Sequence, residues 1–178
     1  MKNYLKLIRV KHYIKNIMIF LPLIFDKRLL TSDFIRVLFG FLSFSFMASV
    51  VYVMNDIKDV NTDRLHEIKK HRPIASGKIS IKNAIICAVI LVCLSFVFCY
   101  LSSGFNVLVY MLLLIYLAIN ILYSFKIKNI VIIDILFLVI GFVLRVYYGA
   151  SIIDIKVSNW MYLTIMSILM IMGLQIMK

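Results

Sequence analysis

Apolar residues in this chain come in long unbroken runs, and polar residues gather in the short stretches between them, without the period-two or period-3.6 alternation of a soluble amphipathic protein. The runs Phe34 to Met54, Ile81 to Leu101, Val107 to Phe125, Ile130 to Gly149 and Asn159 to Met177 each fall in the range of about 17 to 25 residues that a helix needs to cross the hydrocarbon. Ile14 to Phe25 is shorter and contains Pro22, so it reads as a tilted or partial first span. Continuous apolar runs exclude a transmembrane barrel, whose strands alternate between lipid and lumen. The pattern therefore predicts an all-α integral membrane protein, one polytopic helical bundle over residues 1–178 with about six spans near 14–25, 34–54, 81–101, 107–125, 130–149 and 159–177.

Composition agrees: 63% of residues are hydrophobic and 16% charged, against about 45–50% and 25% in soluble domains. The net charge of +12 would point to nucleic acid in a soluble domain. Here its distribution reads as topology, with no nucleic-acid partner. Along an alternating six-span path, fifteen Lys and Arg residues fall on the side of the amino terminus and four (Lys27, Arg28, Arg36, Lys156) on the other, with Arg145 inside a span. By the positive-inside rule this puts the amino terminus in the cytoplasm. Leu23-Ile24-Phe25-Asp26 offers no small-residue cleavage site, so the first apolar segment is expected to be retained. Cys87, Cys93 and Cys99 recur every six residues in one span, which spreads them around the helix and makes them apolar filler, not a metal site.

The chemistry concentrates where the second span ends, at Asn55-Asp56-Ile57-Lys58-Asp59-Val60-Asn61-Thr62-Asp63. If the helix continues, 100° per residue puts Asp56, Asp59 and Asp63 within roughly 60° of one another. Three like charges on one face repel unless a cation lies among them. Mg²⁺ suits the position, because it takes hard oxygen ligands from one or two carboxylates and leaves the rest of its shell to water and phosphate. The loop then continues with Arg64, His66, Lys69, Lys70, His71, Arg72 and Lys78. Pro73 and Gly77 are expected to fold these bases back toward the acids, where Arg72 can bind a diphosphate bidentately.

A second polar cluster lies at the same membrane face. Asp134 sits about one turn into the fifth span, where an ionised group is costly and signals function. Lys126 and Lys128 precede it, Tyr123 and Ser124 close the fourth span beside it, and Lys15 with Asn16 at the inner end of the first span is in reach of the same space. Arg145 is eleven residues beyond Asp134, about 16 Å along the helix, too far for a direct pair, and reads as structural or snorkelling.

These residues resemble a known family. NDIKDVNTD (55–63) is similar to the NDxxDxxxD motif of the UbiA superfamily of intramembrane prenyltransferases, and HRPIASGKIS (71–80) to the basic loop that follows it. VKHYIKNIMIFLPLIF (10–25), YSFKIKNIVIIDI (123–135) and FVLRVYYGA (142–150) resemble the branch typified by decaprenyl-phosphate phosphoribosyltransferase. The resemblance implies a bundle of about nine helices around a cytoplasm-facing cavity in the bacterial inner membrane. It implies Mg²⁺ and diphosphate held by Asn55, Asp56, Asp59 and Asp63, with Lys69, Arg72 and Lys128 as charge partners. The implied reaction is transfer of phosphoribose from 5-phosphoribosyl 1-diphosphate to a polyprenyl phosphate. Asp134 is followed four residues later by Leu138, so the DxxxD motif of the branches that use prenyl diphosphates is absent, which favours the phosphoribosyl branch. The family continues for about three helices past the sixth span, which implies an incomplete family domain.

Other readings stay open on the residues alone. The same acids serve prenyl transfer from a prenyl diphosphate to an aromatic acceptor. A noncatalytic scaffold or small transporter would use Asp134 and Arg145 to line a path, and a remnant or regulatory partner would bind diphosphate without turnover.

Overall fold

The structure, a computed structural model, describes residues 2–126, 131–157, 160, 162–163 and 166–167. Every regular element among them is helical. The short helix α1 (Lys2–Leu7) leads to Arg9, whose backbone is left-handed (φ 52°, ψ 50°). A 3-10 stretch then runs Val10–Phe20 and passes into α2 (Leu21–Phe25), which takes Pro22 in its first turn, where a missing N–H costs no intrahelical bond. A 3-10 helix rises about 2.0 Å per residue against 1.5 Å for an α-helix, so residues 10–25 reach about 30 Å. Tighter winding thus gives a segment that is short in residues the thickness of the hydrocarbon.

Among the described residues, three helices are long and apolar enough to cross a membrane: α3 (Asp33–Lys58), α5 (Ile81–Ser103) and the Val107–Ser124 portion of α6 (Val107–Lys126). Between α3 and α5 lie α4 (Val60–Leu65) and a 3-10 turn, Lys69–His71. The helix α7 (Val131–Ile152) follows, and Leu136–Ile152 within it is an apolar stretch. The expected sixth span, 159–177, falls almost wholly outside the described residues.

Helix α3 is the centre of the bundle, and its most extensive partner is α5, which runs antiparallel to it. Small polar residues let the two approach: Ser43 Oγ donates to Ser95 O and Ser95 Oγ to Ser43 O, both at 2.8 Å. Ser45 and Ser49, one turn apart, hold the amino-terminal segment. Asn16 Nδ2 donates to Ser45 Oγ (2.9 Å), Ser49 Oγ donates to Ile8 O (2.8 Å), and Ser49 Oγ lies 2.9 Å from the Tyr13 hydroxyl. Where every surface is apolar, such hydrogen bonds and close backbone approach take over the role that hydrophobic burial has in water. At the opposite end, Arg36 donates to Ile152 O (2.5 Å) and Ser102 O (3.2 Å), placing positive charge on the carboxyl ends of α7 and α5. Ile85, Ile86, Val89, Ile90 and Val97 on α5, with Leu108, Met111 and Leu114 on α6, are exposed and make these two helices apolar on the outside of the described bundle, as an integral membrane protein requires.

Gly149 sets how closely α7 meets the 3-10 stretch. A Cβ there would overlap the Ile19 carbonyl oxygen and stand 2.9 Å from its carbon, so backbone rather than a movable side chain occupies the space. Gly149→Val is expected to push the two segments apart and destabilise the fold by about 1–3 kcal/mol. The check is thermal unfolding in detergent, where the variant melts several degrees below the parent.

Candidate functional site

The acids stand where α3 ends, but the helix does not continue straight through them. It stops at Lys58, Asp59 is the joint (φ −86°, ψ 8°), and α4 begins at Val60. The condition that the helix continues through the acids is met only as far as Lys58. The one-turn register survives, because Asp59 N donates to Asn55 O (2.9 Å) and Asp63 N to Asp59 O (2.8 Å) across the joint. Asp56 and Asp63 therefore still share a face.

Both carboxylates are buried, at 2% and 3% exposure, and their company is cationic. Arg72 Nη1 lies 2.7 Å from Asp63 Oδ2 and 3.2 Å from Asp56 Oδ1, bridging them. Arg9 Nη2 donates to Asp56 Oδ1 at 2.6 Å, and its guanidinium lies 4.8 Å from the centre of the Tyr52 ring. The loop that carries Arg72 is itself anchored. Arg64 Nε donates to Ala75 O (3.3 Å), Ile79 N to Pro73 O (3.0 Å), and Pro73, Ile74, Ala75 and Ile79 are buried. This is the folding-back of bases onto acids that Pro73 and Gly77 predict.

Asn55 Oδ1 accepts from Ser124 Oγ, and Lys58 Nζ donates to Ser124 O, so the inner ends of α3 and α6 are tied together. Asp59 is half-buried at the joint, while Lys69 is exposed on the 3-10 turn. Lys128 and the Asp134 side chain lie outside the described residues.

Beside the acids opens a cavity of about 360 Å³, lined by Lys15, Tyr52, Tyr116, Asn120, Tyr123, Phe137, Leu138, Gly141, Phe142 and Arg145. Lys15 and Tyr123 border it, and Asn16 stands behind it, its Oδ1 accepting from Arg145 Nε at 2.7 Å. Arg145 does not snorkel: it is 7% exposed, and Nη1 donates to the Gly141 carbonyl at 2.5 Å. The sequence reading passed over Arg9, which it counted only toward topology, and Tyr116 and Asn120, although Tyr116, Asn120 and Tyr123 form a polar stripe at helical spacing in an otherwise apolar span.

Among the described residues no group of three or more His, Cys, Asp or Glu side chains is gathered to hold a metal ion. The donor chemistry does fit a hard cation. One positive nitrogen already bridges oxygens of Asp56 and Asp63, and carboxylate and amide oxygens are the ligands Mg²⁺ prefers.

Residues 26–178 match the model of the UbiA prenyltransferase family. A decaprenyl-phosphate phosphoribosyltransferase of Corynebacterium glutamicum is 34% identical over 166 residues, 89% of this chain and 48% of that protein. The protein y4nM of Sinorhizobium fredii is 31% identical over 164 residues, 90% of this chain and 31% of that protein. The chain thus spans about a third to a half of the length of these relatives. A solved UbiA homolog from Archaeoglobus fulgidus, bound to DMAPP and Mg²⁺, shares the fold with a TM-score of 0.71 at 20% identity, over 92% of this chain and 59% of that one.

The bridge makes a stability prediction. Arg72→Met leaves two buried carboxylates short of a partner and is expected to cost on the order of 3 kcal/mol. Adding Asp63→Asn should recover part of that loss. A double-mutant cycle on thermal stability reads the coupling, and strictly additive losses would mean that the pair does not interact.

Proposed function

Because the chain belongs to the UbiA prenyltransferase family, we propose that its site transfers phosphoribose from 5-phosphoribosyl 1-diphosphate to a polyprenyl phosphate and releases diphosphate. The observation that carries this reading is the pair of buried acids under Arg9 and Arg72 beside a separate cavity edged by Lys15 and Arg145. The reaction joins two phosphorylated substrates and needs a place for each. The similarity to a decaprenyl-phosphate phosphoribosyltransferase over most of this chain supports the choice of donor and acceptor.

In this reading a phosphate oxygen of the acceptor attacks the anomeric carbon, the bond from that carbon to the diphosphate oxygen breaks, and the diphosphate leaves with the electron pair. Asp56 and Asp63, with Asn55 and Asp59, hold Mg²⁺, the metal found in the Archaeoglobus homolog. The ion supplies Lewis-acid stabilisation of the departing diphosphate. Arg72 and Arg9 turn from the carboxylates to the diphosphate oxygens and neutralise the charge that grows there. Lys69, Lys128 and Asp134 complete the charged rim, and Tyr123 with Lys15 and Asn16 orients the substrates. The site faces the cytoplasm, on the side that carries the excess of Lys and Arg.

The test uses the chain in membrane vesicles. Diphosphate release is expected only when Mg²⁺, 5-phosphoribosyl 1-diphosphate and polyprenyl phosphate are all present, and Asp56→Asn should lower it by about 100-fold or more. Release that instead follows a prenyl diphosphate and an aromatic acceptor would select the sibling prenyl transfer. Binding of Mg-diphosphate without turnover of either donor would make the protein noncatalytic.

A further inference from the structure

Arg145 is a buried positive charge that no described carboxylate balances. Arg9, Arg36 and Arg72 each have an aspartate within ion-pair distance. Among the described residues the hydrogen-bond partners of Arg145 are neutral: Asn16 Oδ1 at 2.7 Å, Gly141 O at 2.5 Å and the Tyr116 hydroxyl at 3.5 Å. The rings of Phe44, Tyr116 and Phe142 surround the guanidinium at 5.2, 5.3 and 5.5 Å from their centres. Carbonyl dipoles and ring faces stabilise a cation but leave its charge in place. An ionised group within the span of a membrane helix is costly, and its usual justification is a ligand or transport path.

The space beside this group is built for an anion. The cavity of about 360 Å³ has Arg145 at its buried end and Lys15 at its exposed edge, and no acid among the described residues lines it. Two positive charges among described lining residues that are otherwise neutral focus a positive potential inside. Asp56 and Asp63 are not among the lining residues, so an anion held here does not face their repulsion at close range. A guanidinium presents a fork of N–H donors that matches phosphate oxygens. Phe137, Leu138 and Phe142 leave apolar wall for the organic part of a ligand.

We propose that this cavity is a phosphate-monoester site, with Arg145 and Lys15 binding the dianion and Tyr116 donating its hydroxyl proton. This rests on the proposed reaction for its biological source, which supplies two: the head of the acceptor lipid, or the 5-phosphate of the donor. Either puts a monoester close to the two-acid site. In either case the residue first read as structural binds substrate.

The experiment is calorimetric titration of the full chain in detergent with EDTA present, so that no metal assists the acids. The probes are farnesyl phosphate and ribose 5-phosphate, with farnesol and ribose as uncharged controls. At least one phosphate is expected to bind about tenfold or more tightly than its control. Arg145→Gln should abolish that preference, Arg145→Lys should keep part of it, and Lys15→Gln, at an exposed position, should weaken it several-fold. Preference for farnesyl phosphate identifies the lipid head as the source, and preference for ribose 5-phosphate identifies the donor. No preference for either phosphate, or a preference that survives both Arg145→Gln and Lys15→Gln, overturns the site. Should Arg145→Gln not fold, Lys15→Gln decides: a weakened preference supports the site and an unchanged one overturns it. Phosphate binding without phosphoribosyl turnover rejects the reaction and leaves the site standing, while turnover without phosphate preference does the reverse.

Discussion

Two carboxylates buried at the end of a membrane helix are tolerable only in the company of positive charge, and much of this protein around the end of α3 is arranged to meet that requirement. Arg72 can reach Asp56 and Asp63 only if the loop after α4 turns back, so Pro73, Ile74, Ala75 and Ile79 are buried and fix the turn. Arg9 can reach Asp56 only if the chain bends sharply after α1, which it does through a left-handed backbone at Arg9 itself. That conformation is uncommon for a residue with a side chain and persists when its surroundings over-determine it. An ion pair of 2.6 Å and a tyrosine face at 4.8 Å are such surroundings.

Below that layer the bundle obeys a different rule. In lipid, burying apolar surface gains little, and helices are held by close approach and hydrogen bonds. Ser43 and Ser95 supply both between α3 and α5, Ser45 and Ser49 bind the amino-terminal segment, and Gly149 lets α7 lie against the backbone at Ile19. The 3-10 winding of residues 10–20 belongs to the same solution. It lengthens a short polar-edged segment while presenting Asn16 inward to both Ser45 and Arg145.

Much of this was legible in the sequence, for physical reasons that differ from residue to residue. Apolar runs of span length announce α3, α5 and α6, because lipid leaves the backbone few alternatives. Helical arithmetic put Asp56 and Asp63 on one face, and Pro73 with Gly77 foretold the returning loop. The arithmetic missed the break at Asp59, since a joint that keeps the one-turn hydrogen bonds leaves no mark on residue spacing. Arg9 was hidden because a basic amino terminus is explained by topology alone. Of the two readings of Arg145, snorkelling fails and a structural role fits its buried bonds; spacing along its own helix reveals neither Asn16 on the 3-10 stretch nor Tyr116 on α6, the partners that hold it inside.

The two arginine environments, taken together, give the proposed chemistry a direction. At the helix end, anions are fixed in the protein and a partly exposed guanidinium covers them, so in the proposed reaction an arriving cation would replace Arg72 between Asp56 and Asp63, and the released guanidinium would take a diphosphate oxygen as its new partner. Charge balance is kept at each stage. Among the described residues of the cavity the signs are reversed: the fixed charges, Arg145 and Lys15, are positive, and in the proposed site an anion balances them. A metal diphosphate therefore suits the first compartment and a bare phosphate monoester the second. Under the proposed reaction, the polarity of each site would keep the two ligands from exchanging places, since Arg145 and Lys15 repel a divalent ion and the acids favour a phosphate that brings a metal with it. Two phosphorylated substrates would then be told apart by the charges that accompany their phosphates.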